Sequence, residues 1–301
     1  MNKAQQKRYQ SLYQQHVSAL QRQGKASTTI DVYSRAVRRI TEYFDQCPDR
    51  LTIDQLKDYF TALVKSHSWS TVRVDRNGLQ FFYKYVLNKE WAWVDIVKPP
   101  VKKVLPDILT LREVERLING TRELRYQTFI LAVYSMGLRL GETLNLKVGD
   151  IDQDRMKVHV RQGKGRKDRF VTLPMTTLLA LRVYWTTHRN AHLLFPNGKT
   201  SKDRHSAKTP MDRGGMQKSM RVIVRDCGIK KSITVHSLRH SYGAHLVEAG
   251  VNLRAIQHEM GHESPKTTAL YTQLTEVTQQ NTGKLINRLV DRMNLSLDGE
   301  V

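Results

Sequence analysis

Cysteine is scarce in this chain, and long apolar runs are missing from it. The 301 residues include two cysteines, Cys47 and Cys227, which are too few for a disulfide framework and favour a reducing compartment such as the cytoplasm. No apolar stretch approaches the ~18 residues that a membrane-spanning helix needs. The opening sequence MNKAQQKRYQ has no apolar core after its charges, so we do not expect a secretory signal. These absences argue against a disulfide-rich secreted protein and a helical membrane protein.

Acidic residues are also in short supply. Lys and Arg number 49 against 28 Asp and Glu, giving a formal net charge of +21, and both halves of the chain share the excess. Such a charge predicts a polyanionic partner, DNA or RNA, although a ribosomal or merely soluble basic protein has the same property. The length allows two domains, and the hydrophobic content of 40% is enough for each to bury a core.

The first 91 residues predict a domain of four helices. Two helices lie between Lys3 and Gln46, a third begins at a capping box of Thr52 and Gln55, and a fourth runs from Ser70 to Leu87. The last of these carries an aromatic stripe, which we interpret as core: Phe81, Phe82, Tyr83 and Tyr85.

A linker is predicted over residues 92–109, which hold three prolines and several lysines without helical period. The second domain would then span 110–301. It would open with a helix capped by Thr110 and Glu113.

Further along, the second domain predicts a β-hairpin and a loop. Residues alternate in strand fashion from Lys157 to Arg161 and from Arg169 to Thr172, with Lys164 at the tip of the turn QGKGRKD. The span from Asn197 to Gly215 is polar, basic and without period, and is interpreted as a loop.

The stretch from Thr234 to Tyr271 is the densest in reactive side chains. Thr234 is a plausible N-cap for a helix that carries His236 and Arg239 on one face and stops near Gly250. A second helix, from Leu253 to about Met260, is followed by Gly261, which permits a turn, and by His262. Tyr271 comes nine residues after His262.

Together with GLRLGE at 137–142 and GKGRKDR at 163–169, this stretch resembles the tyrosine recombinase (phage integrase) family, which includes Xer-type, integron and transposon-borne integrases. The resemblance implies a mainly α fold with a small β-sheet. A helical SAM-like core-binding domain would precede a mixed α/β catalytic domain, and the two would form a C-shaped clamp on DNA. The chain departs from the family at Met260, where leucine is usual, and at Gly243 and Ala244, where alanine and threonine are more frequent.

The resemblance also implies a catalytic set and a DNA cleavage reaction without metal, cofactor or ATP. Fixed guanidinium groups suit a pentavalent phosphorus with extra negative charge, and a tyrosine hydroxyl can form a covalent 3′-phosphotyrosine that is later reversed. A lysine would protonate the departing 5′ oxygen, and two histidines would help to deprotonate the tyrosine. The residues concerned are Arg139, Lys164, His236, Arg239, His262 and Tyr271, with Glu142, His240 and His245 interpreted as structural support.

The remaining expectations concern DNA and assembly. The basic residues assigned to phosphate contact are Arg73, Arg76, Arg166, Lys167 and Arg169. The implied partners are double-stranded DNA recombination sites and further copies of the chain, as a homotetramer on two duplexes and a monomer or weak dimer off DNA. The amphipathic segment from Lys284 to about Leu297 would be a helix exchanged between protomers, and the protein would act at the nucleoid in the cytoplasm.

Three other functions share features with this sequence: a zinc metalloprotease, a type IB topoisomerase and a catalytically idle DNA-binding relative. His258 to His262 reads H-E-x-x-H, a zinc metalloprotease pattern, but the longer form would require glycine at the position of Pro265 and histidine at that of Thr268. A type IB topoisomerase would use much the same arginines, lysine, histidines and tyrosine to nick and reseal one strand. A catalytically idle DNA-binding relative is disfavoured because all six chemical positions are filled.

Overall fold

A computed structural model of the chain describes residues 1–89, 106–161 and 168–273. The chain divides into two units, Met1–Lys103 and Val104–Val301. Residues 90–105, which include the predicted linker from 92 to 105, lie outside the described residues. The last residues of the linker belong to the second unit, where Leu109 is buried and its backbone N–H donates to Ser241 Oγ at 2.8 Å.

The first unit contains four helices within residues 1–89, as the sequence predicts. They are α1 (Lys3–Arg22), α2 (Ser27–Phe44), α3 (Ile53–Ser66) and α4 (Trp69–Tyr85). The capping box of Thr52 and Gln55 begins α3, which confirms that prediction. The aromatic stripe of α4 is core at Phe81, Phe82 and Tyr83, but the assignment of Tyr85 was wrong, because that side chain is 46% exposed at the end of the helix.

Close packing and one buried carboxylate hold the first unit together. Gly78 of α4 lies so near α2 that an added Cβ would be 3.0 Å from Tyr33 Cα. Beside it Asp75, 3% exposed, accepts hydrogen bonds from Tyr59 Oη at 2.8 Å and Arg39 Nη1 at 2.6 Å. A buried carboxylate is costly without partners, and here one cation and one hydroxyl satisfy it.

The second unit is helical around a small antiparallel sheet, which confirms the predicted fold class. The sheet order is β1 (Ile151–Asp152), β2 (Lys157–Val160) and β3 (Arg169–Thr172), with Val158 opposite Val171 in the predicted hairpin. Val158, Val160 and Val171 point into the core that the helices cover. The elements are α5 (Leu111–Asn119), α6 (Leu124–Ser135), α7 (Leu140–Leu144), β1 (Ile151–Asp152), β2 (Lys157–Val160), β3 (Arg169–Thr172), α8 (Met175–Thr186), α9 (Ser201–Ser206), α10 (Arg213–Asp226), α11 (Val235–Glu248), α12 (Leu253–Met260) and α13 (Pro265–Ala269).

The predicted loop from Asn197 to Gly215 is corrected by the structure, because it contains α9 and the first turn of α10. A capping box of Thr200 and Asp203 begins α9. The buried Asn190 amide then donates to three carbonyls at the end of that helix, those of Arg204, His205 and Ala207. A distant side chain therefore orders a segment that has no apolar pattern of its own. Among the described residues, no helix has both the length and the apolar character that crossing a bilayer would require.

Candidate active site

Helix α11 brings the first part of the site into place. Thr234 and Ser237 form a capping box at its start, and Gly250, with φ +80°, follows its end, as predicted. The expectation that His236 and Arg239 share one face holds only in part. His236 is exposed and packs edge-on against His240 with ring centroids 4.4 Å apart, whereas Arg239 is 1% exposed.

Arg239 is fixed by the main chain. Its guanidinium donates to the carbonyl oxygens of Gly137 and Met260, which lie in two different turns. Burial lowers its pKa to about 10, with a further lowering from Arg139 nearby, so the group still carries its charge at neutral pH. The positive φ of Gly137, +58°, shapes the turn that offers one of these carbonyls.

Arg139 stands at the N-cap position of α7 and is held by Glu142. Its Nη1 donates to Glu142 Oε1 at 2.7 Å, its backbone N–H donates to Glu142 Oε2 at 2.9 Å, and its Nη2 donates to Gly261 O at 2.9 Å. The side chain retains 23% of its exposure, unlike Arg239. This arginine is therefore oriented by the fold and still accessible to an anion.

His262 lies just beyond α12, where the sequence predicts it. Gly261 adopts the left-handed conformation with φ +60°, and His262 Nδ1 is 2.9 Å from Thr268 Oγ1. Burial, followed by the charges of Arg239 and Arg139, lowers the pKa of His262 to about 3. The turn also separates His262 from His258, which is exposed on α12 itself. The helical i, i+4 geometry of the zinc alternative is therefore not formed.

Tyr271 is buried against helices α11 and α12. Its Oη is 3.3 Å from His240 Nδ1, and its ring centroid is 6.0 Å from that of His262. Burial raises the pKa of Tyr271 to about 12, although the arginines nearby act in the opposite direction. Gly243 makes room for the ring, since an added Cβ would lie 2.5 Å from Tyr271 Cε2. No pattern in the sequence pointed to Gly243 as a contact of Tyr271.

Arg169 has a different environment from the one expected of a DNA contact. Its side chain is 8% exposed, and its Nη1 and Nη2 donate to the two oxygens of Glu142 at 2.9 and 2.8 Å. A guanidinium already paired with a carboxylate in this bidentate way argues against the assignment of Arg169 to DNA binding. Its partner Glu142 was assigned a supporting role, and the R-x-x-E spacing with Arg139 was the signal for it.

The other predicted site residues are placed as follows. In the first unit, Arg73 is exposed and Arg76 is half-buried. The predictions for Lys164, Arg166 and Lys167 fall outside the described residues. His245 accepts or donates a hydrogen bond with Tyr134 Oη at 2.8 Å, which fits the structural role assigned to it.

The charges around Glu142 do not balance. Three guanidinium groups, those of Arg139, Arg169 and Arg239, lie within 4 Å of one carboxylate, so these four side chains carry a net charge of +2. The ion pairs hold the pKa of Glu142 near 2 in spite of its burial, chiefly through Arg169. A fixed excess of positive charge beside a tyrosine hydroxyl is the environment in which a phosphodiester could be attacked.

The chain matches known proteins over both units. The model of the phage integrase family matches residues 107–277, and that of the phage integrase N-terminal SAM-like domain matches residues 12–93. The tyrosine recombinase XerA of Pyrococcus furiosus is 30% identical over 281 residues, 92% of this chain and 91% of that protein. XerA of Thermococcus kodakarensis is 32% identical over 281 residues, 89% of this chain and 93% of that protein.

The fold is also shared with a solved structure of low sequence identity. A lambda integrase dimer bound to a core site superposes with a TM-score of 0.69 at 15% identity, covering 87% of this chain and 94% of that one. At this identity the likeness concerns the fold alone. The family models and the XerA relatives go further: the chain belongs to the phage integrase family and is a tyrosine recombinase, an enzyme that cleaves and rejoins DNA.

Proposed function

We propose that the chain is a site-specific recombinase that exchanges DNA strands through a covalent 3′-phosphotyrosine at Tyr271. The observation that carries this proposal is the net positive cluster around Glu142 next to the Tyr271 hydroxyl. Arg139 and Arg239 would bind the non-bridging oxygens of the scissile phosphate. Both are pre-oriented by hydrogen bonds, so little reorganisation accompanies the reaction.

In the proposed reaction, Tyr271 Oη bonds to phosphorus while the bond to the 5′ oxygen breaks. The phenolic proton passes to an imidazole, and Lys164 supplies a proton to the departing 5′ oxygen. The family resemblance assigned this proton transfer to His236 and His262, and His240 was interpreted as structural support. It is His240 Nδ1, however, that lies 3.3 Å from Tyr271 Oη, and burial lowers the pKa of His240 to about 4, so we propose it, neutral at pH 7, as the acceptor. His236 and His262 would bind the phosphate, and they would stabilise the phenolic proton after it has passed from Tyr271 to the imidazole.

Reversal of this step requires no energy source. The phosphotyrosine bond conserves the energy of the phosphodiester, so a 5′ hydroxyl of a second duplex can attack phosphorus and release Tyr271. The proposal therefore involves neither metal nor ATP. It also distinguishes a recombinase from a type IB topoisomerase, whose 5′ hydroxyl returns to the same strand.

The proposed partners are two duplex recombination sites and three further copies of the chain, with a monomer or weak dimer off DNA. In the first unit, Arg73 and Arg76 would contact phosphates, as would Arg166 and Lys167 in the second. The segment from Lys284 to about Leu297, which lies outside the described residues, would dock as a helix on a neighbouring protomer, because its apolar stripe requires a covering surface. Removal of residues 284–301 should then leave single-site binding intact and abolish pairing of two sites.

The test of the chemistry is Tyr271→Phe. A duplex site is first obtained by covalent capture from a library of genomic fragments, and a nicked version of it serves as a suicide substrate. The variant should bind this DNA in native gels and form no adduct in denaturing gels, because only the nucleophilic oxygen is lost. An adduct of normal yield would show that another residue attacks.

Tyr134→Phe is the matched control for that experiment. Tyr134 is also packed against an imidazole, with its Oη 2.8 Å from His245 Nδ1, but it lies outside the arginine cluster. Its variant should form the adduct at the wild-type rate. Exchange between two labelled duplexes, against relaxation of one supercoiled plasmid, separates recombinase from topoisomerase activity.

A further inference from the structure

Arg169 links three elements of the second unit at one buried point. From the first position of β3 it donates two hydrogen bonds to Glu142 of α7, and its Nε donates to Glu259 O of α12 at 3.1 Å. It also packs on the turn after α12, where a Cβ added to Gly261 would lie 2.9 Å from Arg169 Cδ. The same turn provides the carbonyl that Arg139 binds and the imidazole of His262.

The ion pair between Arg169 and Glu142 determines which hydrogen bonds Arg139 can form with Glu142. Because Arg169 takes one side of both carboxylate oxygens, Arg139 shares Glu142 Oε1 through Nη1 alone and turns Nη2 to Gly261 O. Without Arg169, the carboxylate would be free to form a two-point pair with Arg139, the geometry that guanidinium and carboxylate prefer. Arg139 would then be drawn into neutralising Glu142, and it would no longer be aimed at an external anion.

Direct contact between Arg169 and DNA is the competing explanation. It would require the guanidinium to leave Glu142, which is 6% exposed, and so to break a buried two-point ion pair. A second tie holds the same strand, since Glu259 accepts from Thr172 N at 3.0 Å and Thr172 Oγ1 at 2.6 Å. The strand that leads from the Lys164 hairpin is thus fastened to α12 at both of its ends.

We propose that Arg169 is a positioning residue, which keeps Glu142 from capturing Arg139 and fixes the turn at Gly261 so that Arg139 and His262 address one phosphate. The inference rests on the proposed function, because it concerns the same site. It assigns to the base of the hairpin a part in catalysis that does not involve touching DNA.

The test compares Arg169→Met with Arg155→Met in single-turnover cleavage of the suicide substrate. Arg155 is a matched control, because it is 84% exposed and its loss removes the same charge without disturbing the cluster. A misplacement near 1 Å costs roughly 100-fold in rate, so Arg169→Met should cleave about 100-fold more slowly at saturating protein. Its DNA affinity and its salt dependence should match those of Arg155→Met.

The pH profile provides a readout that a general loss of structure would not move. The groups facing Glu142 are Arg139 on its own helix, Arg169 from β3 and Arg239 from α11, and Arg169 is the largest contributor to its low pKa. In Arg169→Met the pKa of Glu142 should rise above that of His240, so the acid limb of the cleavage rate, which His240 sets in the wild type, should shift upward. Arg169→Lys should keep the wild-type limb, because the charge remains, while its rate stays low, because the fork is lost.

Each result has a definite reading. A slower rate with unchanged affinity and a shifted acid limb supports the proposal. Weakened affinity with a normal rate at saturation overturns it in favour of a phosphate contact, and a lower active fraction with a normal rate constant overturns it in favour of a purely structural role. If Arg169→Met does not fold, the pair Glu142→Gln and Glu142→Gln/Arg169→Met decides: adding Arg169→Met should slow cleavage by less than about tenfold, through the Gly261 turn alone, and a further loss of about 100-fold would overturn the proposal. Absence of any adduct in the wild type would contradict the proposed function instead.

Discussion

Asp75 in the first unit and Glu142 in the second are both buried carboxylates held in hydrogen-bonded networks, and these two networks differ in charge. In the first unit Asp75 meets one guanidinium and one phenol, so the network is neutral. In the second unit Glu142 meets three guanidinium groups and the network carries +2. Burying charge without a counter-charge is expensive, so a fold that keeps such an excess implies an anion that arrives later. The neutral network explains stability, and the charged one indicates a binding site.

The largest effect that should separate the two networks is that of replacing an arginine by lysine. Arg239→Lys keeps the charge but loses the planar fork, and the loss of one transition-state donor is worth about 3 kcal/mol, a drop of ~100-fold or more in cleavage rate. Arg39→Lys in the neutral network should leave the rate unchanged. Single-turnover cleavage of the suicide substrate by both variants makes the comparison, and near wild-type cleavage by Arg239→Lys would break it.

The second effect concerns His16, a buried histidine of the first unit. His16 lies edge-on to Phe81 and Phe82, and burial lowers its pKa to about 4. The unfolded chain therefore binds a proton that the folded chain does not, and stability falls as pH drops from about 6.5 towards 4, by on the order of 3 kcal/mol. Hydrogen exchange of the α4 amides in the full chain should show this loss. His16→Leu should remove the pH dependence, and its persistence in that variant would assign it to other groups.

The same histidine sharpens the contrast between the units. The low pKa of His16 comes from burial, whereas that of His262 also reflects Arg239 and Arg139. Binding of the duplex site places a negative phosphate beside the arginines, so the pKa of His262 should rise while that of His16 stays where it is. Histidine-labelled NMR spectra of free and DNA-bound protein measure both. Equal shifts at the two residues would mean that the phosphate does not sit at the arginine cluster.

A third and smaller effect is expected from removing the carboxylate of the neutral network. Asp75→Asn leaves Arg39 without its counter-charge in a half-buried position, which should lower the stability of the first unit by about 2 kcal/mol. Cleavage at saturating protein should be unaffected, since Asp75 serves only packing and hydrogen bonding there. Denaturant-dependent hydrogen exchange gives the stability change. A slowed cleavage step in a stably folded variant would show that the first unit takes part in the chemistry.

The smallest expected effect comes from two helix glycines. Alanine at Gly78 would gain about 1 kcal/mol of helix propensity but would press on α2, and overpacking of this kind costs about 1–3 kcal/mol. Alanine at Gly243 would press on the Tyr271 ring instead. We therefore expect Gly78→Ala to lower stability slightly with normal cleavage, and Gly243→Ala to slow cleavage roughly tenfold with little change in stability. Thermal melts and adduct formation measured on the same two variants test this expectation, and the reverse pattern would contradict it.

Local signals were sufficient for much of the fold. Thr52, Thr110 and Thr234 each begin a helix through a capping box, and Gly261 makes the turn that its lack of a side chain permits. What the sequence could not reveal depends on partners far along the chain. Helix α9 is held by Asn190, which lies more than ten residues before it, and its own six residues have no apolar face.

The candidate site, like the fold, could be predicted where local spacing specifies it and could not where a residue depends on a distant partner. Motif spacing singled out Arg139, Arg239, His262 and Tyr271, and the structure places these four near one another, while their catalytic roles stay a prediction. Arg169 was assigned to phosphate contact because it ends the basic run GKGRKDR, while the carboxylate that pairs with it is 27 residues away. An arginine in a basic hairpin looks like a phosphate contact until its long-range partner is known.

The hydrogen bonds that hold Arg139 and Arg239 have a consequence for how the site can change over evolution. The guanidinium groups of Arg139 and Arg239 are tied to the carbonyls of Gly137, Met260 and Gly261, and a carbonyl is present whatever side chain a residue carries. A point mutation at 260 can alter packing, but it cannot delete the acceptor. Drift in the surrounding side chains is thereby uncoupled from the direction in which the arginines point.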